Sequence, residues 1–377
     1  MPRDELTPRE RFLLTIAQKG VDRAPVTAYL DSLYAEKIAG KFGADLIGDV
    51  LPLFDRMGFD VMLRDLWPET EGVFEPKAWC VETKNVPVEG GVDECFRAQT
   101  PGGVLTWRAR RINRKPGELP PYATVEYVIK DRKSWELYRQ YAPRTRVKDL
   151  SGVRRGRKAV GERGIISNDM AGVFNNAVYL RGTENLLLDA MEDPEFYREQ
   201  MTYQVENIKR MADGLAEDPP DLCRHYDNEA NGAIMGAAFY REHVLPYERE
   251  VIAYAESKGI RVMLHNCGVM GELLAAYPET GATAVESFSP PPNGDTDFSR
   301  ACKVLEGKMV RVGGIDQIHL LKSPDLEKIK AETRRAVEGL KGRSGYIACH
   351  SDQVDRDVSV EALLAYRDAA FEAARYA

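Results

Sequence analysis

The chain has 377 residues, 44% of them hydrophobic and 29% charged, with 59 acidic against 52 basic side chains and a net charge of −7. That balance excludes nucleic acid and anionic membrane surfaces as main partners, and the absence of any uninterrupted apolar run near 18 residues excludes a membrane helix. One barrel with insertions absorbs this length, so residues 1–377 are read as a single domain.

The start, "MPRDELTPRERFLL", lacks the apolar segment and cleavage site of a signal peptide, which predicts a cytoplasmic protein. Short β-type runs then alternate with long amphipathic segments. In chain order the runs are 23–31, 58–65, 163–172, 221–229, 259–268, 281–288, 308–316 and 345–352. Between them lie stretches with apolar residues at three- and four-residue spacing, such as "TENLLLDAMEDPEFYREQMTYQVENIKRMADGL" and "SPDLEKIKAETRRAVEGL". Strands interleaved with helices in this way predict an α/β protein, a (β/α)8 TIM barrel. Residues 73–130 break the rhythm with alternating strands and turn signals, which predicts an antiparallel β insertion between barrel strands 2 and 3, with a loop at "RKPGELPP".

Barrel enzymes place their chemistry where strands run into the following loops. Asp31, Asp65, Asp169, Asp227, Glu286, Asp316 and Asp352 stand at or near those ends. Aspartate also favours turns and helix N-caps, so any one of them has a purely structural reading. The stretch "RVMLHNCGVMGELL" is more specific. Residues i and i+2 of a strand face one side, so His265 and Cys267 present an imidazole and a thiol to one point while Asn266 faces away. A helix beginning near Val269 would favour the thiolate. A catalytic zinc takes three protein ligands, and Cys349, at the end of the eighth run, is the third candidate, with Glu286 as a fourth. His225, Asp227 and His350 are rivals or supporting groups. A buried strand cysteine is also commonly just a small apolar residue. The six cysteines show no paired spacing and are expected to be reduced thiols, with Cys80, Cys95, Cys223 and Cys302 structural.

The segments "ERFLLTIAQKGVDRAPV", "VYLRGTENLLLDAMEDPEFY", "YREHVLPYEREVIAYAESKGIRVMLHNCG" and "VRVGGID" together resemble the uroporphyrinogen decarboxylase superfamily over essentially the whole chain. The resemblance implies a distorted (β/α)8 barrel with its pocket at the strand C-termini. The decarboxylase itself has an arginine-rich segment soon after its first strand; here that place reads "PVTAYLDSLYAEK", without arginine. The cobalamin-dependent methyltransferases of the superfamily carry H-x-C-G after the fifth strand and a later cysteine after the eighth, all on zinc. His265, Cys267, Gly268 and Cys349 match, although "YIACHSDQVDRDVS" departs from the family's surroundings of the last cysteine and leaves His350 as an alternative to Cys349.

The likeness implies methyl transfer between a small methyl donor or acceptor, such as a methoxylated compound or a thiol, and a corrinoid. The D-x-H-x-x-G pattern of corrinoid carriers is missing, since "DQIH" at 316–319 has the wrong spacing, so the corrinoid is expected on a separate carrier protein. Asp227, Asp169 and Asp316 are the candidates to hydrogen-bond the corrin amides or to protonate a leaving oxygen. The alternative is a metal-independent decarboxylase, for which Arg64, Arg181 and Arg224 are the available cations; Arg181 has the structural reading of fixing a helix terminus. A homodimer fits an acidic barrel of this size.

Overall fold

A computed structural model describes residues 5–74, 77–118, 122–340 and 344–375. Thirteen strands occur among them: β1 (Val61–Leu63), β2 (Glu69–Val73), β3 (Cys80–Val88), β4 (Gly91–Thr100), β5 (Gly103–Ile112), β6 (Tyr122–Glu126), β7 (Arg144–Asp149), β8 (Gly164–Ala171), β9 (Leu222–Tyr226), β10 (Val262–Asn266), β11 (Ala284–Ser287), β12 (Val310–Ile315) and β13 (Tyr346–His350). The helices are α1 (Pro8–Ile16), α2 (Ser32–Ala39), α3 (Leu51–Met57), α4 (Arg132–Tyr141), α5 (Ser151–Val160), α6 (Val173–Arg181), α7 (Thr183–Glu192), α8 (Pro194–Leu215), α9 (Ala237–Phe239), α10 (Leu245–Ser257), α11 (Phe298–Leu305), α12 (Leu326–Glu338) and α13 (Val360–Ala373).

Seven strands form one parallel sheet in the order β1-β8-β9-β10-β11-β12-β13. The predicted first strand, 23–31, forms no regular ladder. It fills the eighth place as an extended segment: Thr27 N–H donates to Ala348 O at 2.9 Å, Ala348 N–H to Pro25 O at 2.9 Å, and Asp60 N–H to Val26 O at 2.9 Å. The ring is therefore closed by seven paired strands and one bridging segment, the distorted (β/α)8 barrel expected.

The central strands are buried on both faces, which explains their near-continuous apolar runs. Alternation then sorts them. Met62, Ile165, Leu222, Met263, Ala284, Val310 and Ile347 point inward and, with Phe12 and Ile16 of α1, plug the barrel floor; Leu63, Ile166, Cys223, Leu264, Val285 and Ala348 point outward against the helices.

Antiparallel pairing runs from Glu69 to Asp149, wider than 73–130, as a β2–β7 pair and a β3-β4-β5-β6 sheet between barrel strands β1 and β8. The predicted loop 114–121 starts there, but its last three residues lie outside the described ones. Helix α8 joins the two parts. Its Tyr197, Met201, Val205 and Ile208 belong to the barrel core, while Phe196 and Tyr203 pack with Trp135, Ala98 and Leu105 of the insertion.

Candidate metal centre

Above the apolar floor the same inward positions turn polar, two residues on in Arg64, Arg224, His265 and Glu286 and four residues on in Asp169, with Tyr29 from the bridging segment. Parity along each strand places them in one lumen layer. Charge is matched within it. Arg64 Nη1 lies 2.6 Å from Glu286 Oε2, and Arg224 makes a two-pronged contact with Asp169 at 2.8 and 2.6 Å and reaches Asp65 at 3.2 Å. Both guanidiniums lie over the Tyr29 ring, at 4.3 and 5.0 Å. Although burial opposes its ionisation, the Arg64 charge and the His265 hydrogen bond hold Glu286 well below the usual carboxylate range.

His265 is the link to the mouth. Its Nδ1 is 2.9 Å from Glu286 Oε1, leaving Nε2 for the opposite side. There His265, Cys267 and Asp352 each offer a donor atom, all within 4.8 Å of one another. Tetrahedral zinc with bonds of about 2.0–2.3 Å needs donors roughly 3.3–3.8 Å apart, a spacing somewhat tighter than the 4.8 Å within which these three atoms lie. The carboxylate behind the imidazole matches the usual support of a metal-bound histidine. Burial disfavours charge on His265, yet Cys267, Glu286 and the Asp352 charge push its imidazole up to about 10. The surroundings thus stabilise positive charge at this point.

The other predicted ligands are differently placed. Cys349 shares the inward face but is packed among Val312, Ile347 and Tyr29, outside the three-donor group, and burial pushes its thiol up to about 12. Glu286 spends both oxygens on His265 and Arg64. His350 is engaged at both nitrogens: Nε2 accepts the Tyr29 N–H at 2.8 Å, Nδ1 meets the Asp352 carbonyl, and burial lowers its imidazole to about 4.

Of the three acids, Asp169 lies in the lumen against Arg224. Asp227 lies on the outer side, accepting Phe174 and Asn175 N–H at 3.1 and 2.8 Å and so capping α6. Burial and the neighbouring Glu248 push its carboxyl well above the normal range. Asp316 caps the turn after β12 through Ile318 and His319 N–H. His225 faces outward too, 2.5 Å from Glu248. Arg181 fixes a helix end by gripping Asp189 and the Lys130 carbonyl.

The helix expected from Val269 is replaced by turns that lead into a short 3-10 segment, Tyr277–Thr280. Gly268 adopts φ 100°, and Asp295 captures the N–H groups of Met270 and Gly271, redirecting the chain before a regular helix starts. Sequence reasoning missed Asp352 as a donor and Tyr29 as the platform under both arginines. The signal for Tyr29 was its place two residues beyond Thr27 in the bridging run; Asp352 had only its position after β13.

A uroporphyrinogen decarboxylase (URO-D) family model matches residues 115–372. The methylcobamide:CoM methyltransferase MtbA of Methanosarcina mazei is 21% identical over 342 residues, covering 89% of this chain and 90% of that protein. The protein of the same name from Methanosarcina acetivorans is 20% identical, with the same coverage. A solved structure described as a methyltransferase from Methanosarcina mazei superposes with a TM-score of 0.68 at 16% identity, over 98% of this chain and 99% of that one, and shares the fold. With a family match spanning most of its length, the chain belongs to the uroporphyrinogen decarboxylase family.

Proposed function

We propose that the protein is a zinc-dependent methyltransferase that moves a methyl group between a small substrate, a thiol or a methoxylated compound, and the corrinoid of a separate carrier protein docked over the barrel mouth. The observation that carries this reading is the His265–Cys267–Asp352 donor group, with Glu286 behind His265. The two curated relatives, whose printed activity is methyl transfer from a methylcobamide, support it.

Bound zinc supplies a Lewis acid that turns a thiol into a thiolate, or an ether oxygen into a better leaving group, at neutral pH. The protein's own groups do the rest. Cys267 and His265 would hold the ion, with Asp352 completing the set from across the ring. Glu286, anchored by Arg64, keeps His265 Nε2 facing outward. Asp169 holds Arg224 in the lumen wall, while Asp227 fixes α6 and Asp316 fixes the loop after β12 at the rim. We assign all three acids to positioning.

The decarboxylase alternative is disfavoured by charge. The lumen arginines Arg64 and Arg224 face Glu286, Asp169 and Asp65, so no surplus positive charge is offered to substrate carboxylates there. Elemental analysis with a methylcobalamin-to-thiol assay tests the reading. The expected result is about one zinc per chain, lost with Cys267→Ala together with thiol-dependent demethylation. Cys349→Ala retains zinc if Asp352 is the third ligand and loses it if Cys349 is recruited. Metal-free wild-type protein, or carbon dioxide release without methyl transfer, overturns the proposal.

A further inference from the structure

Away from the metal centre, a cleft of about 580 Å³ opens between the insertion sheet and α6–α7. Its walls are aromatic: Trp79, Trp107, Tyr122, Tyr127 and Tyr179 line it together with the carboxylate of Glu229. The rings are held rather than loose. Trp79 and Trp107 stack with centroids 6.3 Å apart, Trp107 stacks on Phe96 at 5.1 Å, and Tyr138 meets Trp79 edge-on at 5.9 Å. On the opposite wall the Tyr127 ring passes so close to Gly182 that a Cβ there would lie 2.6 Å from it, and Gly182 has φ 87°. Tyr122 and Tyr179 are 59% and 55% exposed. Concave, ordered aromatic faces left open to solvent mark binding surfaces.

Charge identifies the ligand class. Among the described residues the lining holds two carboxylates and no lysine, arginine or histidine. Glu126 is neutralised by Lys130 and also accepts from Thr106. The Glu229 carboxylate meets the Thr183 hydroxyl, at 3.1 Å, and no ion pair to it occurs among the described residues. The nearby Arg181 is turned away onto Asp189 and the backbone of the segment leading into α4. Aromatic faces converging on a concave site beside an uncompensated carboxylate attract a bulky, weakly hydrated cation.

We propose that this cleft binds a methylated ammonium compound, its onium head against the Trp79–Trp107 wall and its charge balanced by Glu229. The cleft shares no residue with the His265–Cys267–Asp352 group, so its occupation is independent of the metal chemistry.

Titration calorimetry of the whole protein with choline, and with 3,3-dimethylbutan-1-ol as its uncharged counterpart of the same shape, tests this. Saturable choline binding is expected, with the neutral compound at least about tenfold weaker, the size of one desolvated cation–π contact. Glu229→Gln and Trp107→Ala should each weaken choline by about the same factor while zinc content and melting temperature stay unchanged. Should Trp107→Ala fail to fold, Glu229→Gln carries the test alone. Equal binding of the two compounds, no saturation by millimolar choline, or wild-type affinity in Glu229→Gln overturns the proposal.

Discussion

Asp65 sits at the lumen rim with φ 59°, a left-handed conformation unusual for any residue with a side chain. Tyr29 Oη donates to it at 2.9 Å, and burial, with the Asp169 charge adding and Arg224 opposing, raises its carboxyl to about 6. Asp65 then binds more protons in the folded protein than in the unfolded chain between about pH 4 and about pH 6, so its contribution to stability falls as pH rises through that window. Asp65 contributes at most about 3 kcal/mol, against the opposite slope from His350, whose lowered imidazole makes stability rise with pH, so urea midpoints of Asp65→Asn should climb more steeply than the wild type's from about pH 4 to about pH 6. Gly314 makes a steric prediction. It has φ 96°, and a Cβ at this position would lie 2.2 Å from the Phe298 ring, so Gly314→Ala should cost about 3 kcal/mol in denaturant melts.

At this scale the site was partly legible. His265 and Cys267 could be read because period-two alternation in a strand fixes which side chains share a face. Asp352 follows β13 in a loop, where no period sets direction, so its approach to His265 and Cys267 is a tertiary contact that no local pattern records. "VRVGGID" could be matched by likeness, but the reason Gly314 must lack a side chain is a tertiary contact.

Among the elements, α8 shows how one helix serves two cores. Phe196 and Tyr203, seven apart, face Trp135 of the insertion, while the barrel-facing residues follow at three- and four-residue spacing. Trp135→Ala should loosen the insertion by about 3–5 kcal/mol, seen as faster proteolysis within 69–149 than within the barrel. Asp227 supports α6 from β9. Its two oxygens accept the Phe174 and Asn175 N–H groups, so Asp227→Ala should cost about 1–2 kcal/mol with metal content unchanged. Seven of the eight predicted runs are barrel strands, since buried parallel strands write continuous apolar stretches. The exception, 23–31, reads like the others, yet only its backbone contacts with β13 and Asp60 decide that it bridges rather than pairs. The lost helix after Cys267 depends likewise on Asp295, too far along the chain for local periodicity to register.

For the molecule as a whole, we propose that barrel and insertion form one domain, because α8 belongs to both cores and neither can melt without exposing part of the other. A single calorimetric transition is expected, moving to lower temperature after chelation, since an ion that binds only the folded state stabilises it by mass action. No helix among the described residues is long and apolar enough to cross a membrane.

The donor group has a further consequence. His265 lies in β10 and Cys267 directly follows it, while Asp352 follows β13, three barrel strands onward, so the group spans the ring as a chord instead of joining neighbours. It does not exist in a partly made chain. During synthesis Cys267 emerges well before Asp352, and the three donors converge only after β13 docks on β12 and the bridging segment. On the proposed zinc reading, ion loading is therefore a late maturation step that reports a finished ring, and a chain stalled before β13 carries the Cys267 thiol without its partners.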